Sequence, residues 1–154
     1  MDMILKLAQT DDLAVLLPLV QDYHAFEQIS LPLEPLKQAL LFLVETETAG
    51  RIWLIQQSAE TVGYITLCFG YSIEFLGRDA FIDEFFIMSS RRGQGLGTAV
   101  LEHLQIEAQQ LGVKALHLEV AKDNPRSQRL YRATGFRPRE RYILMSQQVK
   151  IWLK

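Results

Sequence analysis

The chain has 154 residues, 49% of them apolar, and a formal net charge of −2. That length suits one domain spanning residues 1–154 with a single good core. The composition excludes a disordered chain, and the near-neutral charge gives no general attraction to nucleic acid or an anionic membrane.

Met3 to Leu7 reads as a first strand. Asp2 and Lys6 among these first apolar residues do not give a signal-peptide layout, and no stretch has the apolar length of a membrane span. A cytoplasmic location is therefore expected. Thr10 to about Glu27 reads as a helix bent near Pro18, where a backbone donor is missing. Leu33 to about Glu45 forms a second helix, entered through Pro32 and Pro35. Arg51 to Gln57 and Thr61 to Phe69 predict a hairpin around Ser58-Ala59-Glu60. The lone cysteine, Cys68, falls in this apolar run, where a buried, reduced thiol is expected and no internal disulfide can form.

Ala80 to Met88 is a strand rich in strand-favouring residues. Gly97 to Leu111 places Val100, Leu101, Leu104, Ala108 and Leu111 along one helical face and stops at Gly112. Lys114 to Val120 is a strand, 125–134 a short helix, and Tyr142 to Ser146 a final strand. The order β-α-α-β-β-β-α-β-α-β predicts an α/β (α+β) fold, a mixed sheet with helices on both faces.

Between the strand ending at Met88 and the helix from Gly97 lies Arg92-Gly93-Gln94-Gly95-Leu96-Gly97-Thr98. Glycines allow close backbone approach, and the unpaired amides of a helix N-terminus attract phosphate. The loop lacks the Gly-Lys-Ser/Thr ending of a P-loop, and its third glycine is misplaced for a dinucleotide fingerprint. An ordinary glycine-rich helix cap fits the same residues. A second segment, Asn124 to Phe136, carries its own punctuation: Asn124 to cap, Pro125 for the first helical position and Gly135 to end the helix. Tyr131 lies in its C-terminal half.

Together the two segments resemble the GNAT superfamily of acyl-CoA N-acyltransferases. Arg92-x-x-Gly95-x-Gly97 is similar to its pyrophosphate motif, and Asn124 through Tyr131 with Gly135-Phe136 to its second cofactor-contacting motif. The run Phe81 to Gly97 looks closest to the spermidine/spermine (diamine) acetyltransferase branch. The resemblance implies a mostly antiparallel sheet, acetyl-CoA as cosubstrate without a metal, a small-molecule amine as acceptor, and a homodimer. It also implies cofactor contacts from Phe85, Phe86, Ile87, Arg92, Gly93, Gln94, Gly95, Leu96, Gly97, Thr98, Asn124, Ser127 and Tyr131.

An amine attacking a thioester must lose a proton, the carbonyl oxygen needs a donor, and the leaving sulfur needs a proton. Alkylamines have a pKa of about 10.4 and are mostly protonated at neutral pH, so a nearby carboxylate helps. Asp83 and Glu84 are neighbours on a strand, and alternation sends them to opposite faces. The resemblance gives the proton-accepting role to Asp83, where the branch usually has Glu; the shorter side chain favours a relay through water. Glu84 is then expected to attract a cationic substrate. A solvent-facing strand edge would also explain both charges.

No side chain flanking Phe85 to Ile87 is a suitable donor, so a backbone amide there is expected to hold the oxyanion. The resemblance makes Tyr131 the general acid, although packing of its helix on the sheet would also account for it. Tyr23 and Glu27 share a helix face and match the branch's substrate-facing region, as an exposed face also would.

His24, His103 and His117 lack ligand spacing and read as ordinary surface or half-buried residues. Six arginines from Arg126 to Arg141 interleave with acidic and apolar residues without a nucleic-acid motif. The expected function is an acetyl-CoA-dependent N-acetyltransferase acting on a polyamine or lysine-like amino acid in a ternary complex. Protein or aminoglycoside acetylation and a non-catalytic CoA-binding sensor are the alternatives.

Overall fold

The computed structural model describes residues 2–149. In chain order it contains β1 (Met3–Leu7), a 3-10 turn at Thr10–Asp12, α1 (Leu13–Phe26) and α2 (Leu33–Glu45). Then come β2 (Gly50–Gln57), β3 (Glu60–Ser72), β4 (Gly77–Ile87), α3 (Leu96–Gln110), β5 (Ala115–His117) and α4 (Pro125–Ala133). The sheet order is β1-β2-β3-β4-β5, antiparallel throughout except for the parallel β4–β5 pair. The expected mixed, mostly antiparallel sheet with helices on both faces is what the chain forms.

Alternation explains why β2 reads as a continuous apolar run. Ile52 and Leu54 face a core under α1 and α2, while Trp53 and Ile55 face a second core under α3. With both faces covered, all four are buried. In α1 the buried residues are Leu16, Leu19, Val20 and His24, spaced by three and four so that one stripe meets the sheet. Pro18 sits inside this helix and leaves the Ala14 carbonyl without its amide donor. The β2–β3 hairpin is tighter than expected: only Ser58 and Ala59 form the loop, with φ of 51° and 65°.

Two features of β4 depart from a regular strand and shape the site. Ile65 pairs with Phe85 and Leu67 with Ile82, so Thr66 alone opposes both Asp83 and Glu84. This is a β-bulge, and it breaks the period of two. As a result Ile82 and Phe85, three residues apart, both pack on the α3 core.

On the other edge, β5 pairs with β4 only from Asp79–Ala115 to Phe81–His117. The strand expected over Lys114–Val120 is thus cut to three residues, because the chain from Leu118 leaves β4 instead of following it. The final strand expected at Tyr142–Ser146 is not formed. A strand needs a paired edge; β5 offers a three-residue one, and Ile143 and Met145 stand 80% and 83% exposed.

Candidate active site

Where β4 and the chain after β5 separate, a cavity of about 870 Å³ opens. The ladder on β3 decides what β4 presents to it. The Glu84 amide donates to Thr66 Oγ1 at 2.8 Å and the Met88 amide to the Val62 carbonyl at 2.8 Å, both toward β3. With donors alternating along the strand, the amides of Phe85 and Ile87 turn to the opposite edge, where no strand among the described residues pairs with them. The divergence expected from the resemblance is present, and it frees two amides beside the bulge.

The floor of one end is the glycine loop. Gly93 and Gly95 have φ of 77° and 79°, the left-handed region that favours glycine. Gly95 is the N-cap of α3 and makes no side-chain cap bond, so the helix begins with unsatisfied amides. The first helical bond runs from Ala99 N to the Gly95 carbonyl at 3.2 Å. Gly95, Gly97 and Thr98 of this first turn line the cavity, which sets the positive end of the helix dipole against it, an arrangement that could hold a pyrophosphate. Arg92 fastens this loop to β4: its Nε donates to the Ile87 carbonyl at 2.8 Å, and its guanidinium lies 5.5 Å from the ring centres of Phe26 and Phe86.

α4 closes the same end. Its N-cap Asn124 accepts from the Ser127 amide at 3.1 Å, and Pro125 takes the first helical position, as the sequence predicts. A Cβ at Gly97 would lie 3.0 Å from Leu130 Cδ2, so that glycine lets α3 and α4 approach closely. Asn124, Ser127 and Tyr131 line the cavity, as do Gly93, Gly95, Gly97 and Thr98. Gln94 and Leu96 do not; Leu96 is 1% exposed and belongs to the α3 core.

The opposite end is acidic. Tyr23, Glu27, Asp83 and Glu84 line it. The expectation that Asp83 and Glu84 face opposite ways fails, because the bulge removes the alternation that would separate them. They differ instead in how they are held. Asp83 is exposed, whereas Glu84 is bonded through both oxygens: Oε2 lies 2.6 Å from His24 Nε2, and Oε1 accepts from the Tyr64 hydroxyl at 2.9 Å.

Burial, then the charges of Glu27, Glu84 and Asp83, push the Tyr23 phenol above its ordinary range. Tyr131 is pushed up to about 12 by burial and, secondarily, by Glu27. These mutual influences mark the phenols and carboxylates as neighbours around one space. The Cys68 thiol is half-buried where a buried one was expected, and it does not line the cavity. Burial, with Asp83 and Glu84 behind it, raises its pKa and keeps it protonated and unreactive.

Two members of this site escaped the sequence: His24, expected to be an ordinary surface or half-buried residue and in fact buried, and Tyr64. A signal for the first existed. His24 follows Val20 by four positions and so continues the buried stripe of α1. Nothing local marks Tyr64 as a partner of a residue twenty positions later. Among the described residues no group of three or more metal-ligating side chains occurs, and no helix is long and apolar enough to cross a membrane.

Residues 16–136 match the acetyltransferase (GNAT) family. The chain belongs to that family. It is similar to an integron cassette protein from the mobile metagenome of Cole Harbour Salt Marsh, with 32% identity and a TM-score of 0.83 over 96% of this chain and 91% of that one. Among curated relatives it is 32% identical to a thialysine N-epsilon-acetyltransferase of Bos taurus, over 48% of this chain and 43% of that protein. It is 31% identical to a mycothiol acetyltransferase of Jonesia denitrificans, over 60% of this chain and 28% of that protein. Each match therefore spans less than half the length of the curated relative.

Proposed function

We propose that this GNAT chain is an acetyl-CoA-dependent N-acetyltransferase that modifies a primary amine of a small cationic acceptor, a polyamine or a lysine-like amino acid. The single observation that carries the proposal is that one cavity joins a phosphate-type loop, an open strand edge with free amides, and a cluster of carboxylates. Acetyl-CoA supplies the thioester, and the loop from Arg92 to Thr98 with Asn124 and Ser127 binds its phosphate-bearing end. The acceptor amine enters past Tyr23 and Glu27.

Asp83 takes a proton from the ammonium, directly or through water, and the freed nitrogen bonds to the carbonyl carbon; as the carbon–sulfur bond breaks, the nitrogen gives its second proton to water, to which Asp83 also passes the first. The amide of Phe85, the cleft-facing donor nearest the bulge, offers its N–H to the carbonyl oxygen as negative charge develops there. Tyr131 donates its proton to the departing sulfur and recovers one from solvent. Its raised pKa keeps that proton in place but makes the transfer uphill against a thiol near 8.5, so Tyr131 contributes less than Asp83. Direct attack is favoured over an acyl-cysteine because Cys68 lies off the cavity and its thiol is held protonated.

The proposal includes a homodimer and a cytoplasmic setting. Support for the dimer is the exposed apolar run Ile143, Leu144 and Met145, together with a β5 that stands at the sheet edge with no further strand beside it among the described residues. Incubating the protein with acetyl-CoA and a panel of amines, while recording thiol release, tests the function. Spermidine, putrescine, lysine, thialysine, an aminoglycoside and a lysine peptide would form the panel. Release with a polyamine or lysine-like amine is expected. Binding of acetyl-CoA without release for any amine would favour a sensor.

A further inference from the structure

Asp83 and Glu84 share one bulge and one cavity but differ in freedom. Glu84 is held from two elements: α1 supplies His24, 6% exposed, and β3 supplies Tyr64, fully buried. At 2.6 Å a proton must lie between His24 Nε2 and Glu84 Oε2, and the carboxylate is its natural acceptor. The Tyr64 hydroxyl has its proton committed to Oε1 in the same way. Thr66 Oγ1 fixes the backbone of Glu84 from beneath.

The ring of Tyr23 packs on both holders, 5.9 Å from His24 and edge-on to Tyr64 at 6.4 Å. A carboxylate has about four lone-pair sites, so two bonds leave about two free, on a side chain that is 18% exposed and belongs to a residue lining the cavity. The rotamer freedom that a loose glutamate would lose on binding a cation has already been lost on folding.

We propose that His24 is a positioning residue for acceptor selection. With Tyr64 it fixes Glu84 as a preorganised contact for a second cationic group of the acceptor, and it leaves the exposed Asp83 as the carboxylate free to move protons. The inference rests on the acetyltransferase reading above and divides the acidic wall into a recognising and a reacting carboxylate. Proton relay needs a side chain that can adjust its reach, which suits Asp83; selection between acceptors needs one that cannot, which suits Glu84.

The test compares the best amine of the panel with an analogue lacking its second cationic group, in steady-state kinetics of the full chain. For His24→Asn the acceptor KM should rise about tenfold, with kcat within about threefold, as for loss of a charge-assisted hydrogen bond. The KM for acetyl-CoA should stay unchanged, and preference for the two-cation acceptor should fall by the same factor. Tyr64→Phe, which keeps the ring packing and removes only the hydroxyl, should shift the same quantities in the same direction and covers the case of a poorly folding His24→Asn. The double variant His24→Asn/Glu84→Gln should be no worse than Glu84→Gln alone, because one interaction is being removed twice.

An active wild type whose acceptor KM and preference ignore both His24→Asn and Tyr64→Phe overturns the inference, as do effects that simply multiply in the double variant. A wild type inactive toward every amine instead brings down the acetyltransferase reading, and this inference with it.

Discussion

The two walls of the cleft are made by different means. The wall of α3 and α4 is assembled from backbone: amides of the glycine loop, a helix N-terminus, and an Asn124 cap closing on Ser127 three residues later. The wall of α1, β3 and β4 is assembled from side chains that meet across 60 and 20 positions of sequence, His24 with Glu84 and Tyr64 with Glu84. A backbone wall presents the same donors whatever the side chains, provided the unusual dihedrals survive. A side-chain wall changes with one atom. The first suits a ligand part that every relative of the family must hold, the second a part that differs between them.

The largest effect should come from Asp83, the carboxylate of the side-chain wall to which we assign the proton transfer. Asp83→Asn keeps size and polarity but removes the proton acceptor, and kcat should fall by about 10²-fold or more. Acetyl-CoA affinity by calorimetry should be unaltered; an undiminished kcat would remove Asp83 from the chemistry. The backbone wall should break in the complementary way. Gly95 sits at φ 79°, so Gly95→Val forces a β-branched residue into a left-handed conformation or reshapes the loop. A strain of about 1–3 kcal/mol, if relieved only by reshaping the loop, implies an acetyl-CoA Kd weaker by about five- to 150-fold. Wild-type affinity in that variant would mean that the loop amides do not hold the phosphates.

Tyr131 stands between the walls, and its removal should cost less. Tyr131→Phe should lower kcat about tenfold, since the phenol starts uphill of the thiol that we propose it protonates. With its pKa pushed up to about 12, the residue keeps its proton well past the ordinary tyrosine value of 10.0. Rate should therefore show no alkaline limb from Tyr131 below about pH 11, and an earlier limb that vanishes in Tyr131→Phe would contradict its burial. Stability carries the same sign. Below pH 10.0 both states hold the proton; from there to about 12 the unfolded chain releases it first, so stability falls as pH rises.

The contrast between the walls also explains what the sequence discloses. Elements with local punctuation are legible: α4 between Asn124 and Gly135, α3 ahead of Gly112, and the glycine loop. Each is specified within about a dozen residues. The acidic wall is not, because the bulge at Asp83–Glu84 depends on how β3 pairs, and alternation read along β4 alone sends the two carboxylates apart. The short β5 and the irregular Tyr142–Ser146 mislead for a related reason: strand propensity describes a residue's fit to a pleated surface, while the strand itself exists only where an edge receives it.

The smallest expected effect lies outside both walls and serves as their control. Ser58 and Ala59 form a two-residue β2–β3 loop with both φ positive, the geometry of a type I′ turn, yet neither is a residue that favours it. Each side chain crowds its own carbonyl there, a cost that glycine avoids at the second position and asparagine lessens at the first. Replacing the pair by Asn-Gly should raise unfolding stability by about 0.5–1 kcal/mol in a denaturant titration. Neither residue lines the cavity, so kcat and both KM values should not move. A gain in stability without a kinetic change would show that the effects predicted at Asp83, Gly95 and Tyr131 are not general consequences of altering the sheet. A loss of stability would mean that the hydrogen bond from Ser58 Oγ to Asp2, 3.1 Å long and removed by the exchange, outweighs the relief of the dihedrals.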